Sequence, residues 1–184
     1  MKGKFLTIML MLLFTQQLFA QIAMDKTEAD GQRIICTYYK TSGVPGLSFS
    51  LNSGTIPVLN DTIWELDIKV ISNVKKTMSI GRKLLLKLTD DSIIELSNTN
   101  EIDLLDNEYE LVGSSITYFV YPKYDISKSD LERIISLGVK KIRMEFNTNE
   151  YTMETKNKIS KILTKAYSDI QNAYKVQKDI HSDF

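Results

Sequence analysis

Ser72-Asn73-Val74-Lys75 has the Ser-x-x-Lys spacing with which a neutral lysine activates a serine hydroxyl, provided that one helical turn brings the two side chains together. The flanking residues have strand character, so this segment is expected to be a turn and not a nucleophile. Glu101, Asp103, Asp106, Glu108 and Glu110 cluster closely enough to hold calcium or to supply a general acid and base. The cluster lacks the glycine and the regular ligand positions of an EF-hand loop, and solvent-facing acids are the simpler expectation. Cys36 is the only cysteine and His181 the only histidine. Any Ser-His-Asp triad, Cys-His pair or histidine-rich zinc site would have to use a histidine four residues from the end. No catalytic residue, metal site or cofactor is expected.

Binding is the stronger candidate chemistry. Tyr38, Tyr39, Tyr118, Phe119, Tyr121 and Tyr124 supply rings with broad apolar faces and polar tips, the material of a sugar or peptide platform. Strand packing competes for the same rings. Ser115 to Tyr121 places Ile116, Tyr118 and Val120 on one face and Phe119 and Tyr121 on the other, so one set is expected at the surface. Tyr118, Phe119, Tyr121 and Tyr124 are therefore the candidate ligand-binding residues.

The elements that must position these rings begin after a leader. Lys2 and Lys4 precede an apolar run from Phe5 to Phe14, and Leu18-Phe19-Ala20 offers a cleavage site, as in a secretory signal peptide. The run is too short to span a bilayer. Residues 1–20 are expected to be removed before Gln21, and residues 21–184 to form one α+β domain in the periplasm or outside the cell. A bacterial lipoprotein would need a cysteine where Gln21 stands, so no stable membrane anchor is expected after cleavage. The leader holds two lysines and no acid, so the remainder of a chain with 23 basic and 23 acidic side chains has a net charge of −2. That balance offers no basic field for nucleic acid. With one cysteine the exported domain makes no internal disulfide, and Cys36, between Ile35 and Thr37, is expected to pack.

Gln21 to Gly31 is polar and aperiodic, a loose start. Arg33–Lys40 and Leu47–Leu51 have strand composition, and Thr62–Ile71 alternates most cleanly: Trp64, Leu66, Ile68 and Val70 against Glu65, Asp67 and Lys69. One face of that strand should meet water. Lys83–Leu88 and Ile93–Leu96 form a hairpin across Thr89-Asp90-Asp91-Ser92. Asn98 to Gly113 is a polar connection, a surface flap or another short strand. Ser127 caps a short helix with Asp130 at its third position, Ile126 staples onto Leu131, and Gly138 stops it. Val139 leads into a strand with Ile142, Met144 and Phe146 on one face. From about Glu154 the period becomes helical, through Ile159, Ile162, Leu163, Ala166, Tyr167, Ile170, Ala173 and Tyr174, with Lys158, Lys161, Lys165, Asp169 and Lys175 opposite.

The hairpin Leu84-Leu85-Leu86-Lys87-Leu88 to Ile93-Ile94-Glu95-Leu96, Tyr121-Pro122, and Leu131 followed by Gly138-Val139-Lys140-Lys141-Ile142-Arg143 together resemble small signal-peptide-bearing α+β proteins of uncharacterised function from Gram-negative bacteria. The resemblance covers roughly half of the chain after the leader. It implies a fold and an exported location, and it carries no catalytic residue over. Where such proteins turn on Asp-Gly, this chain has Asp90-Asp91.

The expected architecture is an antiparallel twisted sheet of six or seven strands, with the short helix and the long terminal helix packed on one face. The expected function is a non-catalytic exported module that binds a protein, glycan or small apolar ligand. A carboxylate-based hydrolase, and a carrier with an apolar cavity between sheet and helix, are the alternatives.

Overall fold

Strand β5 (Asp61–Ser72) alternates between apolar and polar residues from Trp64 to Val70, and the fold is built around it. Its apolar side chains Trp64, Leu66, Ile68 and Val70 are all buried, each worth about 1.5–3 kcal/mol if fully withdrawn from water. The computed structural model describes residues 22–59 and 61–182, with side chains as far as Val176. The leader, its cleavage point and the side chain of His181 lie outside them.

Strand β4 (Leu47–Ile56) pairs with β5 from Leu47↔Val70 to Ile56↔Asp61. The other edge of β5 is shared. Strand β10 (Lys123–Ile126) lies against Lys123↔Asp67 to Ile126↔Trp64, and β9 (Ser115–Val120) against Val70 to Ser72. Pro122 sits between them, and its carbonyl accepts from the Ile68 N–H at 3.0 Å. Outward from β4 come β2 (Arg33–Thr37) and β1 (Ile22–Thr27), with the two-residue β3 (Lys40–Thr41) on β4 as well; outward from β9 comes β8 (Glu108–Val112). These make an eight-stranded antiparallel ladder.

A second ladder runs β12 (Glu150–Glu154), β11 (Val139–Glu145), β6 (Lys83–Leu88), β7 (Ile93–Ser97). An isolated bridge from Asn98 to Tyr124, with the Thr99 N–H donating to the Lys123 carbonyl at 2.9 Å, joins the end of β7 to β10. The two ladders thereby curl into one surface around the core.

The expected α+β class and antiparallel pairing hold, but the described residues contain twelve strands, not six or seven. The additional ones are short or edge elements. The loose start is in fact β1, paired with β2, and the long polar connection holds β8. Almost every residue of β1 and β8 is exposed, so neither carries a buried-face alternation that periodicity could detect.

Helix α1 (Lys128–Leu137) begins as its sequence dictates: the Asp130 N–H donates to the Ser127 hydroxyl at 3.0 Å, and Gly138, at φ 84°, returns its N–H to the Ile134 carbonyl. Helix α2 (Lys158–Ser182) packs against β4, β2, β11 and α1. Ile159, Leu163, Ala166, Ile170 and Ala173 are its buried stripe, and the Tyr167 ring packs on Trp64 with centroids 5.1 Å apart and planes tilted by 44°. Asp169 is also buried, a correction to its expected place on the wet face. The Asp90-Asp91 turn closes with Asp91 at φ 71°, where its carboxylate meets Lys87 at 2.7 Å and Lys140 at 2.6 Å. Those hydrogen bonds pull its pKa down to about 2. Among the described residues no helix is long and apolar enough to cross a membrane.

Candidate functional site

The face of β5 opposite the core carries Glu65, Asp67 and Lys69, and cross-strand pairing extends it in both directions. One row of directly opposed residues runs across five strands: Met24 on β1, Cys36 on β2, Asn52 on β4, Glu65 on β5 and Asp125 on β10. The next row holds Ser50, Asp67 and Lys123. Directly opposed side chains lie close enough to interact, so this register assembles a polar cluster from residues up to about a hundred positions apart.

Asn52 and Lys123 brace the two carboxylates. The Asn52 amide donates to Glu65 Oε1 at 3.0 Å and to Asp67 Oδ2 at 3.3 Å; Lys123 Nζ lies 3.4 Å from the same Glu65 oxygen and 3.9 Å from the same Asp67 oxygen. Asp67 is only 8% exposed, and its Oδ1 accepts no hydrogen bond. Burial pushes its pKa up, aided by Glu65 and opposed by Lys123, Tyr39 and Asn52. For Lys123, burial acts to lower the pKa, but Asp67 and Glu65 together outweigh it and hold the ammonium charged. The Cys36 thiol is raised by burial, then by the two carboxylates, so it is a poor nucleophile at neutral pH.

Tyr39 closes one side of the cluster. Its phenol is raised by burial and by the adjacent Asp67, and its ring lies 5.8 Å from that of Tyr121. Tyr121 in turn donates its hydroxyl to Glu108 at 2.7 Å, while Lys69 Nζ sits 4.1 Å above Phe119 and 5.9 Å from the Tyr121 ring. On the other side of the cluster lies an open trough of about 300 Å³, with Met24, Ile34 and Ile63 as apolar walls and Cys36, Asn52, Glu65, Lys123 and Asp125 as its polar lining.

The four candidate binding residues do not converge. Tyr124 pairs with Leu66 and is fully buried in the core, its hydroxyl 3.6 Å from the Met78 sulfur, so it presents no surface to a ligand. Tyr118 is half-buried on the β9 face opposite Phe119 and Tyr121, with Lys75 Nζ 5.9 Å from its ring. Phe119 is 7% exposed beneath Lys69. Tyr121 alone borders the polar cluster.

The other sequence candidates are occupied locally. Ser72 Oγ accepts from the Val74 N–H at 3.2 Å and Lys75 donates to the Leu104 carbonyl at 3.2 Å, so the Ser-x-x-Lys pair is a turn. Asp103 accepts from the Leu105 and Asp106 N–H groups, Asp106 from that of Asp103, and Glu101 from that of Ile80. These acids fasten their own loop, and no group of three or more His, Cys, Asp or Glu converges as for a metal among the described residues. Sequence reasoning passed over Asn52, Lys123, Asp125 and the carboxylates of β5. The alternation of β5 was the one available signal, because it put Glu65 and Asp67 on a common face. Comparison with family models, with curated proteins and with solved structures returns no match.

Proposed function

We propose that the protein is an exported, non-catalytic binding module whose ligand enters the trough on the outer face of the eight-stranded ladder. The observation that carries this reading is the trough itself, a concavity with apolar walls whose polar residues Asn52 and Lys123 also hold Asp67, a carboxylate buried behind them where its charge is disfavoured. A carboxylate that weakens the fold yet is held by the lining of an open trough marks that trough as a functional candidate. The lining suits a small molecule, or one side chain of a peptide or glycan, that presents hydrogen-bond donors to Glu65 and Asp125 and an apolar part to Met24 and Ile63.

The hydrolase reading rests on the same raised Asp67. Against it, Asp67 is only 8% exposed and does not line the trough, so its unpaired Oδ1 has no access to a substrate there. The carrier reading needs space between sheet and helix, where Trp64 and Tyr167 pack against each other.

Cys36 lines the trough and is the only thiol in the sequence, so its alkylation, run at alkaline pH where the thiolate forms, reports occupancy. The test is a panel of amino acids, monosaccharides and short peptides, screened for slowing of iodoacetamide labelling and for amide shifts in NMR. The expected result is at least one compound that protects Cys36 and shifts Asn52, Glu65 and Asp125. Binding that shifts only residues outside the trough, or no protection from any compound, overturns the reading. Mass spectrometry of the protein from its native host tests export, with Gln21 as the expected first residue.

A further inference from the structure

Among the described residues the two end strands of the ladder's main path, β1 and β8, are built differently. Edge strands invite pairing with other chains, and proteins blunt them with bulges, lysine or proline. At one edge β1 is blunted: its register with β2 slips between Ile22 and Met24, and it carries Lys26. At the other, β8 pairs with β9 in unbroken register from Glu108↔Phe119 to Val112↔Ser115 and contains neither lysine nor proline. All five of its residues are exposed. Its second row of backbone donors and acceptors, pointing away from β9, has no partner strand among the described residues.

The β8–β9 ribbon is also two-faced. Tyr109 opposes Tyr118 and Leu111 opposes Ile116, which puts four large apolar side chains on one face; Tyr109 is 66% and Leu111 72% exposed. Glu108 and Glu110 stand on the other face. From Asn98 to Pro122 the chain contains five acids and no basic residue. Lys69 and Lys75 approach only the root of the ribbon, at Phe119 and Tyr118.

We infer that the free edge of β8 is a docking site for an extended segment of another protein in which basic and apolar residues alternate. A strand added to an edge places each residue opposite, and on the same face as, its neighbour. Basic residues would therefore stand opposite Glu108 and Glu110, and apolar ones opposite Tyr109 and Leu111. Charge selects this occupant over a second copy of the chain, since a copy would bring its own Glu108 and Glu110 to the contact.

The probe is a capped heptapeptide of alternating lysine and valine, titrated into the chain lacking residues 1–20. Lysine–serine and glutamate–valine heptapeptides are the controls, the first keeping the charge without the apolar face and the second reversing the charge. Binding by lysine–valine is expected to exceed both controls by at least about tenfold, to weaken with added salt, and to slow hydrogen exchange of the 108–112 amides. Glu110→Lys, whose side chain makes no contact that the fold uses, is expected to weaken it at least about tenfold with an unchanged melting temperature, since a like-charge pair replaces an opposite one. Equal binding of lysine–valine and either control, insensitivity to Glu110→Lys, shifts confined to the trough, or no binding at all would each overturn the inference. So would concentration-dependent self-association that protects 108–112 without peptide, which would identify the occupant as a second copy.

Discussion

Ile63, Trp64, Glu65, Leu66, Asp67 and Ile68 belong to one strand, yet its two faces obey different rules. Toward α2, Trp64 lies opposite Ser53 and Ile126, Leu66 opposite Leu51 and Tyr124, and Ile68 opposite Phe49, and all three are at most 3% exposed. On the opposite face Ile63 is 45% exposed, while Asp67 is buried among polar groups that leave one of its oxygens unpaired. The inner face maximises burial of matched surfaces. The outer face holds a carboxylate at a cost in stability. A strand's alternation sorts side chains by face, but what each face becomes depends on what lies over it.

Neighbouring substitutions would break this comparison most directly. Trp64→Ala is expected to cost about 3–5 kcal/mol in denaturant unfolding, because it removes the ring packed on Tyr167 and leaves a cavity. Ile63→Ala, one residue away on the trough wall, should cost less than about 1 kcal/mol. Equal losses would show that the two faces are packed alike.

An intermediate effect is expected from Lys123→Ala, which leaves Glu65 and Asp67 without their shared ammonium. At pH 7 it should destabilise by about 1–3 kcal/mol, since a partly buried charge then lacks a partner. The loss should shrink as acid protonates Asp67, whose folded pKa is raised. A pH-independent loss in thermal melts between pH 4 and 7 would mean that Lys123 contributes packing and not charge.

Asp67→Asn should have the smallest effect and the opposite sign. With its folded pKa above the unfolded value, Asp67 binds its proton more tightly in the folded state. Its charge therefore weakens the fold above the folded pKa, and the penalty is relieved as pH falls toward the unfolded value near 3.8. The amide should leave the melting temperature at pH 7 unchanged or raise it, with any gain fading near pH 4. If the same substitution abolishes protection of Cys36 by a trough ligand, stability and binding are in opposition at this position. A marked destabilisation at pH 7 would instead make Asp67 a structural anion.

Much of the inner face was legible. The Ser127 cap, the Gly138 stop and the stripe of α2 are local patterns, set by backbone geometry within a turn or two. Tyr124 was legible only in part. Tyr118, Val120 and Tyr124 oppose Ser72, Val70 and Leu66 in one unbroken register on β5, so alternation does place Tyr124 on the inner face. What it does not show is how completely that face is covered there, since Tyr118 on the same face is only half-buried. Leu66 lies directly opposite Tyr124, and the ring turns into the core. The outer cluster was hidden, since Asn52 and Lys123 meet the carboxylates only after β4 and β10 have found their partners.

By itself, then, the sequence determined the α+β class, the main strands and helices, and the sorting of β5 into two faces, because these follow from propensity and period along the chain. Only the tertiary structure decided that Tyr124 is fully covered, that Asp67 is buried behind the trough residues Asn52 and Lys123, and that β8 is an edge strand with no outer partner among the described residues. Each of those depends on register between segments distant in sequence. Moving a strand by one residue would reverse every side chain on it without changing its composition.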